Sequence, residues 1–244
     1  MKGITVAILA LATSCSAAFA QSRDENWQRC QHSEGEPAIA ACSALIRSGR
    51  ETTEDLATAF YNRAIHYRRS GQIDRAMQDY DQSISINPGN ASAFYNRGNI
   101  WRDRKEYQRS IQDYDRAISL NPSHVNAFNN RGNSYKDLGD LDRAIQDYGQ
   151  ALRMDPSHQN AWFNRSDVYL TRKQYDLAIQ GFDQLLRLSP NDAEAYYLRG
   201  NAYFGKRQFD QAIQSYDQAL RLDPNYDDAK QARQRATAEK AKGN

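Results

Sequence analysis

Small and aromatic side chains recur along this chain at an interval of 34 residues, and polar residues fill most positions between them. Small residues form one column of the pattern: Ala64, Gly98, Gly132, Ser166 and Gly200. Alanine, with one serine, forms another: Ala76, Ser110, Ala144, Ala178 and Ala212. Two columns are aromatic: Tyr67, Trp101, Tyr135, Tyr169 and Tyr203, and Tyr80, Tyr114, Tyr148, Phe182 and Tyr216. Proline ends each interval, at Pro88, Pro122, Pro156, Pro190 and Pro224. Such a fixed period predicts repeats that stack on their neighbours.

Each interval is predicted to form two helices. In the interval that ends at Pro156, the pattern predicts a first helix over residues 125–138 and a second over residues 141–154. The proline stops the second helix, because it has no backbone N–H and its ring clashes with the preceding turn. Gly132 and Ala144 are the small residues of the two helices, and they allow the two backbones to approach closely.

This order of aromatic, small, alanine and proline positions, present in five copies, resembles the tetratricopeptide repeat family. The resemblance implies an all-α fold: a right-handed superhelical solenoid of helix-turn-helix repeats whose first helices line a concave groove. The predicted organisation is a signal peptide (1–20), a degenerate N-terminal helical cap hairpin (21–50), five repeats (51–224), and a C-terminal capping helix with a tail (225–244). Caps are expected because the terminal repeats of a solenoid need a neighbour that covers their apolar face.

The two predicted caps are helical. A polar helix over residues 226–240 carries alanines on one stripe: Ala229, Ala232 and Ala236. At the other end, residues 26–32 and 37–46 are predicted to form a short hairpin with one cysteine in each helix, Cys30 and Cys42. An even pair of cysteines in an exported protein predicts a disulfide bond. Two free buried thiols are the alternative.

The first twenty residues have the layout of a secretory signal peptide. Lys2 precedes an apolar run over residues 4–12, and Ala18 and Ala20 place small side chains at the positions that determine cleavage. Cleavage after Ala20 predicts a mature protein in the periplasm or outside the cell, without membrane insertion. One alternative is an uncleaved anchor, although a helix needs ~20 apolar residues to span a bilayer. The other is lipid attachment at Cys15.

Charge and composition argue against several functional classes. The chain has 32 Lys and Arg against 30 Asp and Glu, a net charge of +2, so it lacks the basic excess of a nucleic-acid-binding protein. It contains no Gly-rich phosphate loop and no Gly-x-Ser-x-Gly motif. His124 and His158 fall in turns between repeats and are interpreted as turn residues. We therefore expect a non-enzymatic protein with no metal or other cofactor.

An arginine precedes the small residue of every first helix: Arg63, Arg97, Arg131, Arg165 and Arg199. These side chains need acceptors on a packing face, because an unpaired buried charge is costly. The predicted partners are Asp79, Asp113 and Asp147. The last two repeats carry Gly181 and Ser215 at that position, so the pairing is not uniform. The predicted substitutes are Asp81, Asp115, Asp183 or Asp217. The alternative interpretation is a basic stripe that binds an acidic ligand.

Asparagine stands one position before the arginine in four repeats, at Asn62, Asn96, Asn130 and Asn164, and Leu198 follows in the fifth. In the tetratricopeptide family this position faces the groove. The row resembles the asparagine ladder in the repeat domain of O-linked N-acetylglucosamine transferases, which holds the main chain of an extended peptide. An amide offers a donor and an acceptor together, so it matches the backbone of any peptide.

Neighbouring positions complete the predicted peptide-binding site: Tyr61, Tyr95, Asn99, Asn133, Tyr197 and Asn201. Asn129 interrupts the aromatic series that flanks the asparagines. The alternative is that the amides cap or hydrate the inner surface without a ligand.

These observations predict a protein-interaction scaffold that binds a polypeptide segment in its groove, in the periplasm or at the cell exterior. A non-catalytic subunit of an envelope enzyme complex, for cell-wall or polysaccharide assembly, is the second hypothesis. The sequence makes no prediction about the oligomeric state or the identity of the protein partner, because repeat scaffolds share an architecture and differ in groove chemistry.

Overall fold

The computed structural model describes residues 22–242, and all regular secondary structure in that range is α-helical. The predicted signal peptide and Cys15 lie outside the described residues. By their contacts the helices form two compact units, which divide between Arg104 and Lys105. None of the helices between residues 22 and 242 is long and apolar enough to cross a lipid bilayer.

The described part of the first unit consists of α1 (residues 22–32), α2 (Glu36–Ser48), α3 (Thr53–Arg69), α4 (Ile73–Ile86) and α5 (Ala91–Asp103). Helix α2 packs on α3, α3 on α4, and α4 on α5. Tyr80 is completely buried in the core of this unit, beside Ala64, Ala76 and Ile100. The helices predicted over residues 26–32 and 37–46 are present as α1 and α2, and both are slightly longer than predicted.

The described part of the second unit consists of α6 (Tyr107–Leu120), α7 (Val125–Asp137), α8 (Leu141–Met154), α9 (Gln159–Thr171), α10 (Tyr175–Leu188), α11 (Ala193–Gly205), α12 (Phe209–Leu222) and α13 (Asp227–Lys242). Each helix packs on the next, and α7, α9, α11 and α13 also contact one another in sequence. First helices therefore form one layer and second helices the other. The helices predicted over residues 125–138, 141–154 and 226–240 are present as α7, α8 and α13.

Close contact between the two helices of a repeat explains the column of small residues. A β-carbon added to Gly132 would lie only 2.7 Å from the ring of Tyr148, which is completely buried. In the next repeat the first helix carries Ser166 in place of glycine, and a glycine, Gly181, lies on the second helix. A β-carbon added to Gly181, on the facing second helix, would overlap the hydroxyl of Ser166. Ser166 is thus accommodated by a glycine at position 181, where the preceding repeat carries Asp147.

Polar side chains begin the first helices. Asn90 and Asp192 each accept a hydrogen bond, through Oδ1, from the backbone N–H three residues later. His124 and His158 do the same through Nδ1, and burial lowers the pKa of His124, which keeps that nitrogen available as an acceptor. The two histidines interpreted as turn residues are therefore helix caps.

The turn between the two helices of a repeat contains one residue in the left-handed conformation. Gly71 and Gly139 take it at φ values of 76° and 81°, whereas Lys173 and Arg207 take it at 58° and 59°. A residue with a β-carbon is strained there by about 1–2 kcal/mol.

Replacing Lys173 by glycine is expected to raise the free energy of unfolding by about 0.5–1 kcal/mol, because glycine adopts this conformation without the steric cost. Gly139→Lys introduces the strain in the preceding repeat and should lower stability by a similar amount. Urea unfolding of both variants checks this prediction. Indistinguishable midpoints for the two variants and the parent would show that the turns are not strained.

Candidate functional site

The asparagines of the predicted binding site occupy equivalent positions on successive first helices. Asn62 lies on α3, Asn96 on α5, Asn130 on α7 and Asn164 on α9, and each side chain is partly exposed. We call these four residues the amide row. Asn62 and Asn96 belong to the first unit, and Asn130 and Asn164 belong to the second.

In the first unit, the amide row is joined to an aromatic side chain. Asn96 Nδ2 donates a hydrogen bond to the Tyr61 hydroxyl at 3.2 Å, which links α5 to α3. The Tyr61 ring lies against Tyr80, with ring centroids 6.1 Å apart. Burial raises the pKa of Tyr61, so the hydroxyl stays protonated. Among the described residues, Asn62 has no hydrogen-bond partner for its side chain, and Asn96 Oδ1 accepts no hydrogen bond.

In the second unit, three asparagines form a hydrogen-bonded chain. Asn164 Nδ2 donates to Asn129 Oδ1 at 3.2 Å, and Asn129 Nδ2 donates to Asn130 Oδ1 at 3.0 Å. Asn129 is only 5% exposed. The residue that interrupts the aromatic series therefore connects two members of the amide row, on α7 and α9. Oδ1 of Asn164 accepts no hydrogen bond from residues 22–242.

Two other predicted site residues are held by buried tyrosines. The hydroxyl of Tyr148 donates to Asn133 Oδ1 at 2.8 Å, and that of Tyr216 donates to Asn201 Oδ1 at 2.9 Å. These bonds fix the amides within their own repeats, so Asn133 and Asn201 have a structural role that was not predicted. Asn99, the equivalent residue on α5, is buried.

Aromatic contacts position Tyr197, at the far end of the second unit. Its ring centroid lies 6.0 Å from that of Tyr216 on α12 and 5.1 Å from that of Tyr226, just before α13. Burial, together with the carboxylate of Glu194, raises the pKa of Tyr226 to about 12. Tyr197 and Asn201 both contact Tyr216, and they form a group distinct from the Asn129 chain. Tyr95 is partly exposed on α5.

The arginine column forms ion pairs with aspartates. Arg63 donates two hydrogen bonds to Asp79, of 2.7 and 2.8 Å, and Arg131 donates two to Asp147, of 2.7 and 2.6 Å. Further pairs use an aspartate of the preceding second helix: Arg97 with Asp81, Arg131 with Asp115, and Arg199 with Asp183. The prediction of structural ion pairs is confirmed for these arginines, and the two-point pairs are the strongest geometry.

Cys30 and Cys42 form a disulfide bond, as predicted, with Cα atoms 4.9 Å apart. Both residues are completely buried, and Leu45 and Ala59 pack beside them. The bond joins α1 to α2, and Ala59 connects this cluster to α3.

Hydrogen bonding is the chemistry that the amide row offers. Asparagine side chains are neutral and provide both donors and acceptors. In the part of the chain that the structure describes, no three His, Cys, Asp or Glu side chains are arranged to hold a metal ion. The row is therefore suited to recognising peptide groups.

Comparison with known proteins identifies the repeats. Models of the tetratricopeptide repeat match residues 91–124, 129–193 and 193–226, and a model described as a TPR repeat matches residues 65–101. Together these matches extend over most of the described chain. No curated protein sequence matches it.

Several solved structures share this fold. YrrB, a TPR protein with an unusual peptide-binding site, is 21% identical with a TM-score of 0.71, over 81% of this chain and 100% of YrrB. MamA is 21% identical with a TM-score of 0.65, over 69% of this chain and 92% of MamA. A tetratricopeptide repeat protein from Parabacteroides merdae is 18% identical with a TM-score of 0.64, over 89% of this chain and 99% of that protein. The chain is therefore an all-α helical-repeat protein and belongs to the tetratricopeptide repeat family.

Proposed function

We propose that this protein is a non-enzymatic scaffold that binds an extended polypeptide segment through the asparagines of its first helices, outside the cytoplasm. The tetratricopeptide architecture is that of a protein-interaction scaffold. The observation that carries the finer proposal is the amide row, which places a partly exposed asparagine at one position of four successive first helices.

The composition of the row supports a polypeptide ligand. Asparagine is unfavourable inside a helix, because its side chain competes with the backbone for hydrogen bonds. Four asparagines at one helical position therefore need a compensating gain. An extended peptide supplies one, since each of its peptide groups offers the N–H and the C=O that an amide side chain matches.

The hydrogen bonds within the two units support the same ligand. Asn96 and Asn164 use their Nδ2 groups within the protein, and their Oδ1 atoms accept no hydrogen bond from residues 22–242. Asn62 engages no described residue through its side chain. The internal bonds orient the amides before a ligand arrives, which lowers the entropy cost of binding.

YrrB shares this fold and has an unusual peptide-binding site. At 21% identity the likeness concerns the fold, so the proposal for this chain rests on its own asparagines.

The disulfide bond supports a location in the periplasm or at the cell exterior. Disulfide bonds persist in oxidising compartments and are rare in the cytosol. The buried Cys30–Cys42 bond and the signal peptide predicted over residues 1–20 agree on an exported protein.

Asn62→Ala and Asn164→Ala test the proposed ligand. Peptides are first selected from a random-sequence library on the oxidised protein, and their affinities for each variant are then measured by calorimetry. Each substitution is expected to weaken binding by roughly 1 kcal/mol, about fivefold in Kd, because it removes one hydrogen-bonded amide.

Gln146→Ala is the matched control, since it removes an exposed amide from second helix α8. Its affinity for the selected peptides should equal that of the parent. Asn62→Ala is the cleanest of the variants, because the described structure gives that side chain no internal bond to lose. Unchanged affinity in both asparagine variants, with their folds intact, would place peptide binding elsewhere.

A further inference from the structure

The arginine column has two kinds of acceptor, and each kind uses a different edge of the guanidinium. An aspartate of the same repeat, 16 residues later, accepts from Nε and Nη2, as Asp147 does from Arg131. An aspartate of the preceding second helix, 16 residues earlier, accepts from Nη1, as Asp115 does from Arg131. Helix α13 keeps the spacing of 16 residues, because its Arg233 bonds to Asp217, but there the donor is Nε.

Arg165 is the exception, because glycine stands at both of its acceptor positions, Gly149 and Gly181. Arg165 forms no ion pair with any residue between 22 and 242, and its Nε is buried without a hydrogen-bond partner. The guanidinium instead lies over two aromatic rings, 4.7 Å from the centroid of Trp162 and 5.9 Å from that of Tyr169. Burial, and the positive charge of Arg153, lower the pKa of Arg165.

Packing explains only one of the two glycines. Gly181 is required by Ser166, whose hydroxyl occupies the place of a β-carbon at position 181. Gly149 has no such constraint: a β-carbon there would lie 3.8 Å from Nη1 of Arg153 and 3.8 Å from Nη1 of Arg165, an ordinary contact. Two guanidinium groups therefore converge near a glycine that has space for a β-carbon.

A cavity of about 360 Å³ borders Arg165. Its lining includes Trp162, Arg165, Tyr169, Gln180, Gly181 and Arg187. Asp183 also borders the cavity, but it accepts a hydrogen bond from Arg199 at 2.8 Å. The cavity thus borders position 181, where the preceding repeat carries Asp147, and its lining includes cationic and aromatic groups.

We propose that this pocket, formed by α9 and α10 in the second unit, binds the carboxylate of an aspartate or glutamate side chain from a partner polypeptide. The ligand carboxylate gives Arg165 the counter-charge that Asp79 and Asp147 supply in their own repeats. A carboxylate can match a guanidinium with two parallel hydrogen bonds. The site is separate from the amide row and adds recognition of an acidic residue to sequence-independent peptide binding.

The test uses the oxidised protein labelled with ¹⁵N-arginine, whose Nε–Hε resonances are followed by NMR. The probes are a blocked Gly-Asp-Gly tripeptide, the matching Gly-Asn-Gly tripeptide and inorganic phosphate, all at constant ionic strength. The Arg165 resonance is expected to shift saturably with the Asp tripeptide and to respond only weakly to the Asn tripeptide. Resonances of the paired arginines, such as Arg131, should stay in place.

A double variant supplies an internal competitor. Ser166→Gly with Gly181→Asp recreates the arrangement of Gly132 and Asp147, so the new aspartate should occupy Arg165 and weaken tripeptide binding by about tenfold. Ser166→Gly with Gly181→Ala is the control with the same packing and no charge, and it should retain binding. If that pair folds poorly, the tripeptide titrations of the parent protein decide alone.

Three results would overturn the proposal. The Asp and Asn tripeptides could shift Arg165 equally, phosphate could saturate the site while the Asp tripeptide does not, or the Gly181→Asp double variant could bind the Asp tripeptide as well as its alanine control. None of these variants alters the amide row, so failure here is distinguishable from failure of the proposed peptide-binding function.

Discussion

Replacing Cys42 by serine is expected to lower the free energy of unfolding of the oxidised protein by about 3 kcal/mol. In the chain-entropy description, a bond that closes a loop of this size restricts the unfolded chain by about that amount. The substituted side chain would lie in the buried cluster of Cys30, Leu45 and Ala59. Calorimetric melting under oxidising conditions measures the loss.

Reduction provides the control for this prediction. Dithiothreitol should destabilise the parent by a similar amount and leave Cys42→Ser nearly unchanged. The loss should begin in the N-terminal hairpin, because α2 packs on α3 and the disulfide holds α1 to α2. A parent protein that melts at the same temperature with and without reductant would show that the disulfide does not stabilise the cap.

Asp147→Ala is expected to destabilise the protein by about 3 kcal/mol, because it leaves the guanidinium of Arg131 without its two-point partner on a packing face. The side chain of Asp147 is 7% exposed. Although burial disfavours the charge of Arg131, the carboxylates of Asp147 and Asp115 raise its pKa, so it stays charged at all working pH values. The variant therefore cannot avoid the cost by losing a proton.

Asp115→Ala is the matched control, because Asp115 pairs with the same arginine at 2.5 Å but its side chain is 52% exposed. Its removal should cost less than about 1 kcal/mol, since water screens an exposed pair. Urea unfolding of both variants compares the two carboxylates on one guanidinium. Equal losses would mean that burial does not determine the strength of these pairs.

The repeat pattern was sufficient to predict the helices of the second unit. Residues 125–138 and 141–154 were predicted helical, and α7 and α8 match them closely. The regularly spaced prolines determine where the second helices end, and the aromatic columns determine which helix faces are buried. Both features depend on local chemistry. The pairing of Arg63 with Asp79 and of Arg131 with Asp147 was also predictable, because both residue types recur with the same period.

Couplings between repeat positions were present in the sequence but were not recognised. Tyr148 donates to Asn133, whereas Phe182, which lacks a hydroxyl, accompanies Asp167 at the asparagine position. Asp167 pairs instead with Lys136, at 3.3 Å. Comparing which residues change together from repeat to repeat would have identified the pairing of Tyr148 with Asn133.

A second coupling joins the start of a second helix to the end of the next first helix. Three ion pairs of this kind lie 30 residues apart in the second unit: Asp142 with Arg172, Asp176 with Lys206, and Asp210 with Lys240. The repeat with Gln108 in the acidic position has Leu138 in the basic one. Both positions differ in that repeat, as expected for two residues that contact each other in the other repeats.

Other features depend on side-chain geometry that no period contains. Asn129 was an interruption in the sequence, and only the helix contact between α7 and α9 makes it the connection between Asn130 and Asn164. Gly181 removes one acceptor of Arg165 because Ser166 packs against it, which is a packing effect. The identity of a polypeptide ligand depends on a second molecule and is not encoded in this architecture.

The most direct measurement of the central claim is an NMR spectrum of the asparagine side-chain amides, recorded with and without a peptide selected on the oxidised protein. Binding by the first helices predicts that the Nδ2 resonances of Asn62 and Asn96 shift together in the first unit. Those of Asn130 and Asn164 should shift together in the second unit, while the amide of Gln146 on α8 does not move. Saturable binding that shifts Gln146 and its neighbours on the second helices, and leaves the four asparagines unchanged, would contradict the account.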